Sequence, residues 1–227
     1  MKDRPVIHSA ASSAGHLMLD TGGSERGVEI PWTLAHLRYG GSLLDVGCAE
    51  SGLIEHLHTV GLHRELWGVD IREVPLPPGT QFRLGDVRTA DLPKGKFDEI
   101  TCVSTIEHIG LKGAYGCETT DDAAPREALE RMVKLCKLGG HVLLTTHYGK
   151  AKDSVYWFRV YDKPRLEALL AGFKVKEIKY FRKMESEGYN WREVEEPVAA
   201  ESNSRHPDGA PGIVGWVWGL VCIELVL

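Results

Sequence analysis

The sequence predicts an α/β fold with a mostly parallel sheet, and three observations carry that prediction. An apolar, β-type run at residues 43–46 gives way to small residues between Gly47 and Gly52, and an amphipathic segment with Leu53, Ile54, Leu57 and Val60 follows at once. A second apolar run at residues 66–69 ends on Asp70, which completes a strand, turn, helix and strand with an acid at the tip of the second strand. Further strand-like runs at 81–84, 97–103 and 141–146 each end in polar residues, where parallel sheets place their ligands. The small residues of the first turn let backbone approach a nucleotide-like ligand, and the Asp70 carboxylate can take two ribose hydroxyls.

With 227 residues the chain forms one large domain, or one domain with a small appendage, and can bury a substantial core. A formal charge of −5, a pI near 6.1 and the lack of any Lys/Arg run argue against a non-specific nucleic-acid binder and for a small ligand. Five cysteines without a Cys-x-x-Cys pair argue against a zinc ribbon or a disulfide framework, and make a reducing compartment the default. Residues 1–16 lack the apolar core of a secretory signal, and the longest apolar run, at 212–227, is too short for a membrane span and contains Glu224. A cytoplasmic protein with no membrane span is expected.

Taken in order, residues 10–27 are rich in Ala, Ser and Gly, so residues 1–30 read as an N-terminal arm able to move, ahead of one domain over 31–227. Pro31 suits the first turn of a helix through Trp32, Leu34, Ala35 and Leu37 that ends at Gly40 and Gly41. Pro75, Pro77 and Pro78 rule out a regular helix after Asp70, and residues 81–84 form a third strand. The fourth strand, at 97–103, is followed by a polar, Gly-containing loop. A helix at about 124–137 carries Leu129, Met132, Val133 and Cys136 on one face, and the fifth strand follows at 141–146. Residues 163–171 form another helix with Gly172 as its C-cap, and 173–181 a sixth strand. Residues 182–211 show no clean period and read as a long excursion between strands, functional or partly helical. The last strand lies within 215–226.

At this point the chain resembles the class I S-adenosylmethionine-dependent methyltransferases over residues 31–181 and the final strand. Leu43-Leu-Asp-Val-Gly-Cys-Ala-Glu-Ser51 is similar to the family's first motif, Gly68-Val-Asp70 to the second, Leu84-Gly-Asp-Val87 to the third, and the run from Phe97 to His108 to the fourth. Ala49 and Ser51 stand where the family often has glycines, and Leu138 where a proline is common. The resemblance implies a three-layer Rossmann-like seven-stranded sheet of order 3-2-1-4-5-7-6, with the last strand antiparallel. It also implies S-adenosylmethionine as cofactor. Asp45 and Gly47, with the adjoining backbone at Cys48, would hold its amino-acid end, Asp70 the ribose, Asp86 with Val87 the adenine, and the Ser104 backbone the amino group or sulfonium side, with Ile71 a further cofactor-binding residue. Glu50 is either a further acceptor for the ammonium or a carboxylate complementing a helix N-terminus.

Methyl transfer is an in-line displacement at an activated carbon, so alignment and desolvation carry much of it, and a base is needed only for a protonated nucleophile. Glu107, His108 and His147 are the catalytic candidates, with Tyr148 beside the last. Tyr115, Tyr148, Tyr156, Trp157, Phe158 and Tyr161 could line an acceptor pocket or pack in the core. Asp121 and Asp122 read as a solvated turn or helix N-cap, so no metal is expected. The function expected is methyl transfer to an O or N atom of a small molecule: a metabolite, a sugar or a lipid-linked precursor. The alternatives are an RNA or protein methyltransferase, or a non-catalytic protein that holds the same cofactor. A dehydrogenase is more distant, because the first turn lacks Gly-x-Gly-x-x-Gly.

Overall fold

The computed structural model describes residues 24–63, 65–151, 158–185, 190–204 and 217–227, with the backbone of residues 10–11 and 17–18. The two short segments pair antiparallel as β1 (Ala10–Ala11) and β2 (Leu17–Met18). The body begins with α1 (Arg26–His36), β3 (Ser42–Val46), α2 (Leu53–Val60), β4 (Glu65–Asp70), β5 (Gln81–Leu84) and β6 (Phe97–Val103). A single 3₁₀ turn (Ala114–Gly116) interrupts the next loop, before α3 (Ala124–Leu135) and β7 (Cys136–His147). The chain closes with α4 (Lys163–Leu170), β8 (Val175–Met184), β9 (Asn190–Val194), α5 (Glu196–Ala200) and β10 (Gly219–Val226).

The sheet runs β5-β4-β3-β6-β7-β10-β8-β9. Its parallel half is β5 through β7, and β10 lies antiparallel between β7 and β8. This is the expected order with one addition. The count is eight rather than seven, because β9 folds back on β8 as an antiparallel edge strand; β9 and α5 both lie within the stretch read as an excursion at 182–211.

Alternation along each strand divides the core between the two faces. Leu44 and Val46 of β3, Val142 and Leu144 of β7, and Val221 and Ile223 of β10 face one side, with Leu129 and Met132 of α3. Leu43, Leu143, Leu220 and Cys222 face the other, with Trp32 of α1 and Ile54 and Leu57 of α2.

Helix α1 starts at Arg26, well before the expected first turn, and Pro31 lies inside it. The proline removes one hydrogen bond within the helix. Burial of Val28, Glu29, Ile30, Trp32 and Thr33 against the sheet supplies what that bond does not. At the far end of the sheet from the strand-end loops, buried Glu99 accepts hydrogen bonds from the Arg38 N–H and faces His63 Nε2 at 2.6 Å and His141 Nε2 at 2.9 Å. His141 Nδ1 faces Glu224 at 3.0 Å.

Candidate active site

The C-terminal ends of β3, β4, β6 and β7 open into a cavity of about 670 Å³. Its wall takes Gly47 from the first turn, Asp70 and Ile71 from the end of β4, Asp86 and Val87 from the loop after β5, Ser104 and His108 from the loop after β6, and His147 from the end of β7. Glu50 completes the predicted residues on the wall. A parallel sheet gathers these residues because every strand from β3 to β7 delivers its C-terminal loop to the same edge.

Gly47 has φ +78°, and a Cβ built on it would lie 2.1 Å from Thr105 Oγ1. Only glycine satisfies both the left-handed backbone and this approach of the first turn to the loop after β6. The remainder of the turn is braced by Asp70, whose Oδ2 accepts the Ala49 N–H at 3.0 Å. Ser51, at a family glycine position, has its own use. Its hydroxyl donates to Asp45 Oδ2 at 2.6 Å and accepts the Leu53 N–H at 3.2 Å, where α2 begins.

Three predicted residues lie behind the wall rather than on it. Asp45 is fully buried, and Thr101 donates a second hydroxyl to it at 2.8 Å. Burial pushes its carboxyl up to about 6 against the two hydroxyls that favour the charge, so Asp45 is a strut between β3, β6 and the turn. The Cys48 thiol packs in the core with Ile54 and Leu57, and burial pushes its pKa up. Glu107 is also fully buried; it accepts from Thr146 Oγ1 at 3.2 Å and faces His147 Nε2 at 3.2 Å.

His147, on the wall, departs clearly from the ordinary histidine value. Burial pulls it down to about 4 although the facing Glu107 carboxylate pulls the other way, so the imidazole is neutral at pH 7. Burial raises Glu107. His147 Nδ1 has no hydrogen-bond partner among the described residues. Phe158 meets the ring edge-on at 4.7 Å between centroids.

Sequence reasoning missed the arginines of the wall. Arg72 donates its N–H to Asp70 Oδ1 at 2.9 Å and its Nε–H to the same atom at 3.3 Å, and pairs through Nη1 with Glu50. Arg88 repeats the pattern, with its N–H on Asp86 Oδ1 at 2.9 Å and Nη2 on Oδ2 at 2.8 Å. Burial alone would raise Asp86; the Arg88 hydrogen bonds outweigh it and hold the carboxyl below its ordinary value. A signal was present: both strand-end acids stand in Asp-x-Arg, at Asp70-Ile71-Arg72 and Asp86-Val87-Arg88. That spacing lets one carboxylate receive both the backbone and the side chain two residues on. Arg26 and Glu29 carried no comparable signal. Glu29, fully buried in α1, accepts from Arg26 Nη1 at 3.0 Å, Ser104 Oγ at 2.5 Å and Thr145 Oγ1 at 2.8 Å, tying the helix to the ends of β6 and β7.

Of the aromatic set, Tyr115 and Phe158 line the cavity, Tyr148 and Tyr161 pack in the core, and Tyr156 and Trp157 lie outside the described residues. Among the described residues no helix is long and apolar enough to cross a membrane.

A family model described as a methyltransferase domain matches residues 29–186. No curated protein matches the sequence. Among solved structures, a SAM-dependent methyltransferase from Methanosarcina mazei is 13% identical with a TM-score of 0.55, covering 87% of this chain and 97% of that one. The geranyl diphosphate C-methyltransferase of Streptomyces coelicolor, solved with Mg²⁺, geranyl diphosphate and S-adenosyl-L-homocysteine, is 12% identical with a TM-score of 0.54, covering 88% and 77%. The [4+2]-cyclase SpnF is 16% identical with a TM-score of 0.56, covering 97% and 86%. At these identities the likeness is one of fold.

Proposed function

This chain belongs to the methyltransferase-domain family, and on that premise we propose that it transfers a methyl group from S-adenosylmethionine to an oxygen or nitrogen atom of a small molecule. The observation that carries this reading is the convergence of Gly47, Asp70, Asp86, Ser104 and His147 on one cavity from five separate segments of the chain. The residues fit the cofactor. Asp70 is 5% exposed with its carboxylate braced from behind by the Ala49 and Arg72 N–H groups, which suits it to accept ribose hydroxyls. Ile71, 48% exposed beside it, offers an apolar face for the adenine, and Asp86 with Val87 flanks the same part of the wall. Glu50 and the backbone at Gly47 and Ser104 serve the amino-acid end.

When bound, S-adenosylmethionine supplies a methyl group on a sulfonium already activated for displacement. The chain aligns the acceptor, excludes water and takes a proton. His147 is the base we assign: its neutral ring lines the cavity with Glu107 facing Nε2 at 3.2 Å from behind, and an imidazole suits the removal of a proton from an O–H or N–H acceptor. Glu107, buried behind the ring, acts as its orienting group, and His108 lines the acceptor side. A cavity of about 670 Å³ supports a small acceptor, since it lies within the range of small-molecule sites.

Calorimetric titration with S-adenosylhomocysteine tests the cofactor; no binding removes the reading. Labelled S-adenosylmethionine incubated with the protein and a cell extract, then fractionated, tests the acceptor. Label in the small-molecule fraction supports it, and label confined to RNA or protein overturns that part.

A further inference from the structure

The cavity has two rims that come from different parts of the chain, and a contact between an arginine and a tyrosine spans them. Arg72 extends from the end of β4, the rim that carries Asp70 and Glu50. Tyr115 stands on the loop after β6, the rim that carries His108. The Arg72 guanidinium carbon lies 4.3 Å from the centre of the Tyr115 ring, within the range of a cation–π contact.

Neither partner is there by accident of a long side chain. Arg72 is held at three points, by its own N–H and Nε–H on Asp70 and by Nη1 on Glu50. Tyr115 has φ +47°, a left-handed conformation that costs a non-glycine residue on the order of 1 kcal/mol, and it sits between Gly113 at +87° and Gly116 at +84°. The loop beneath it is stapled. Buried Arg159 donates to the carbonyls of Ile109 at 2.6 Å, Gly110 at 2.9 Å and Asp121 at 3.2 Å. His108 packs against the Tyr115 ring edge-on at 5.3 Å. A strained tyrosine on an anchored loop is a fixed post, and Arg72 is the arm that reaches it.

The geometry points to a clasp: Arg72 and Tyr115 close the cleft over the bound cofactor and set how long it is retained. This rests on reading the cavity as the S-adenosylmethionine site. The Arg72 Nε–H contact to Asp70, at 3.3 Å, is the longest of the carboxylate's three hydrogen bonds, so a ribose can share Asp70 while the backbone N–H and the Glu50 pair keep the arm in place. Both residues are positioning residues.

The test is a double-variant cycle read by calorimetry and by the dissociation rate of S-adenosylhomocysteine. Tyr115→Leu, which removes the ring at an exposed position, is expected to weaken binding about fivefold through faster dissociation. Tyr115→Phe, which keeps the ring, stays within twofold of the unaltered protein. In an Arg72→Gln background, Tyr115→Leu has no further effect. Equal losses from Tyr115→Leu in both backgrounds, no loss in the unaltered background, or tighter binding by Arg72→Gln alone would overturn the clasp. The last outcome would make Arg72 a plug on Asp70. An unaltered protein that fails to bind S-adenosylhomocysteine removes the cofactor reading instead, so the two failures are distinguishable.

Discussion

Asp70→Asn separates a carboxylate that binds from one that merely braces a turn. In the folded chain Oδ2 accepts the Ala49 N–H at 3.0 Å and Oδ1 accepts the Arg72 N–H at 2.9 Å, at a residue only 5% exposed. The amide keeps one acceptor and sets an NH₂ against one of these donors, which loses its partner. Leaving one buried donor unsatisfied costs roughly 1–3 kcal/mol. For a chain of this size that lowers Tm by about 2–12 °C. Binding suffers separately. Hydrogen bonds to a charged group contribute about 1.5–3 kcal/mol, so loss of the ribose contact weakens S-adenosylhomocysteine by roughly 10- to 150-fold. Calorimetry at 20 °C, where both proteins are folded, reads the second effect, and thermal unfolding without ligand reads the first. A variant with the lower Tm but a Kd within threefold of the unaltered protein would refute the assignment and leave Asp70 a structural brace.

Three further predictions follow from the same geometry. His147→Asn should leave S-adenosylhomocysteine affinity within twofold and lower methyl transfer by about 10²- to 10⁴-fold; in the unaltered protein, with His147 held near 4 by burial, the rate stays flat from pH 8 to pH 5, and an acid limb near the ordinary histidine value of about 6.5 would sink the assignment. Gly47→Ala combines a left-handed φ of +78° with a Cβ 2.1 Å from Thr105 Oγ1, so urea unfolding should show a loss of about 2–4 kcal/mol together with weakened cofactor binding; unchanged stability would mean the turn moves freely. For Glu99, burial is outweighed by the hydrogen bonds of His141, His63 and the Arg38 N–H, which hold its folded-state pKa down to about 2 against an ordinary 4.5. A depressed carboxylate contributes stability that is complete above pH 4.5 and lost as pH falls toward 2, roughly 3 kcal/mol in all. Unfolding measured along that range should show a loss that Glu99→Gln lacks, and parallel curves would disprove it.

Much of the frame was legible because it rests on local rules. The run ending at Val46, the glycine turn and the acid at Asp70 are set by apolar periodicity and by what a tight strand-to-helix turn demands. The prolines at 75, 77 and 78 likewise excluded a helix before β5, and none forms there. Other features have no local signature. Strand β9 is an edge strand with most of its side chains exposed, so its residues need not alternate, and only pairing with β8 makes it a strand. Helix α1 runs through Pro31 because burial of its inner face outweighs the local cost, which no window around the proline reveals. Glu29 joins Ser104 and Thr145 across separations of 75 and 116 residues.

The sequence by itself determined the strand-end chemistry: which turn, which acids and which histidines stand at the sheet's C-terminal edge, since each depends on a few neighbouring residues. The tertiary structure decided how they are used. It placed Asp45, Cys48 and Glu107 behind the cavity rather than on it, made His147 a buried neutral ring, and set Arg72 against Tyr115 across the cleft. Burial and long-range contact set protonation and access, and neither can be read from a residue's neighbours in the chain.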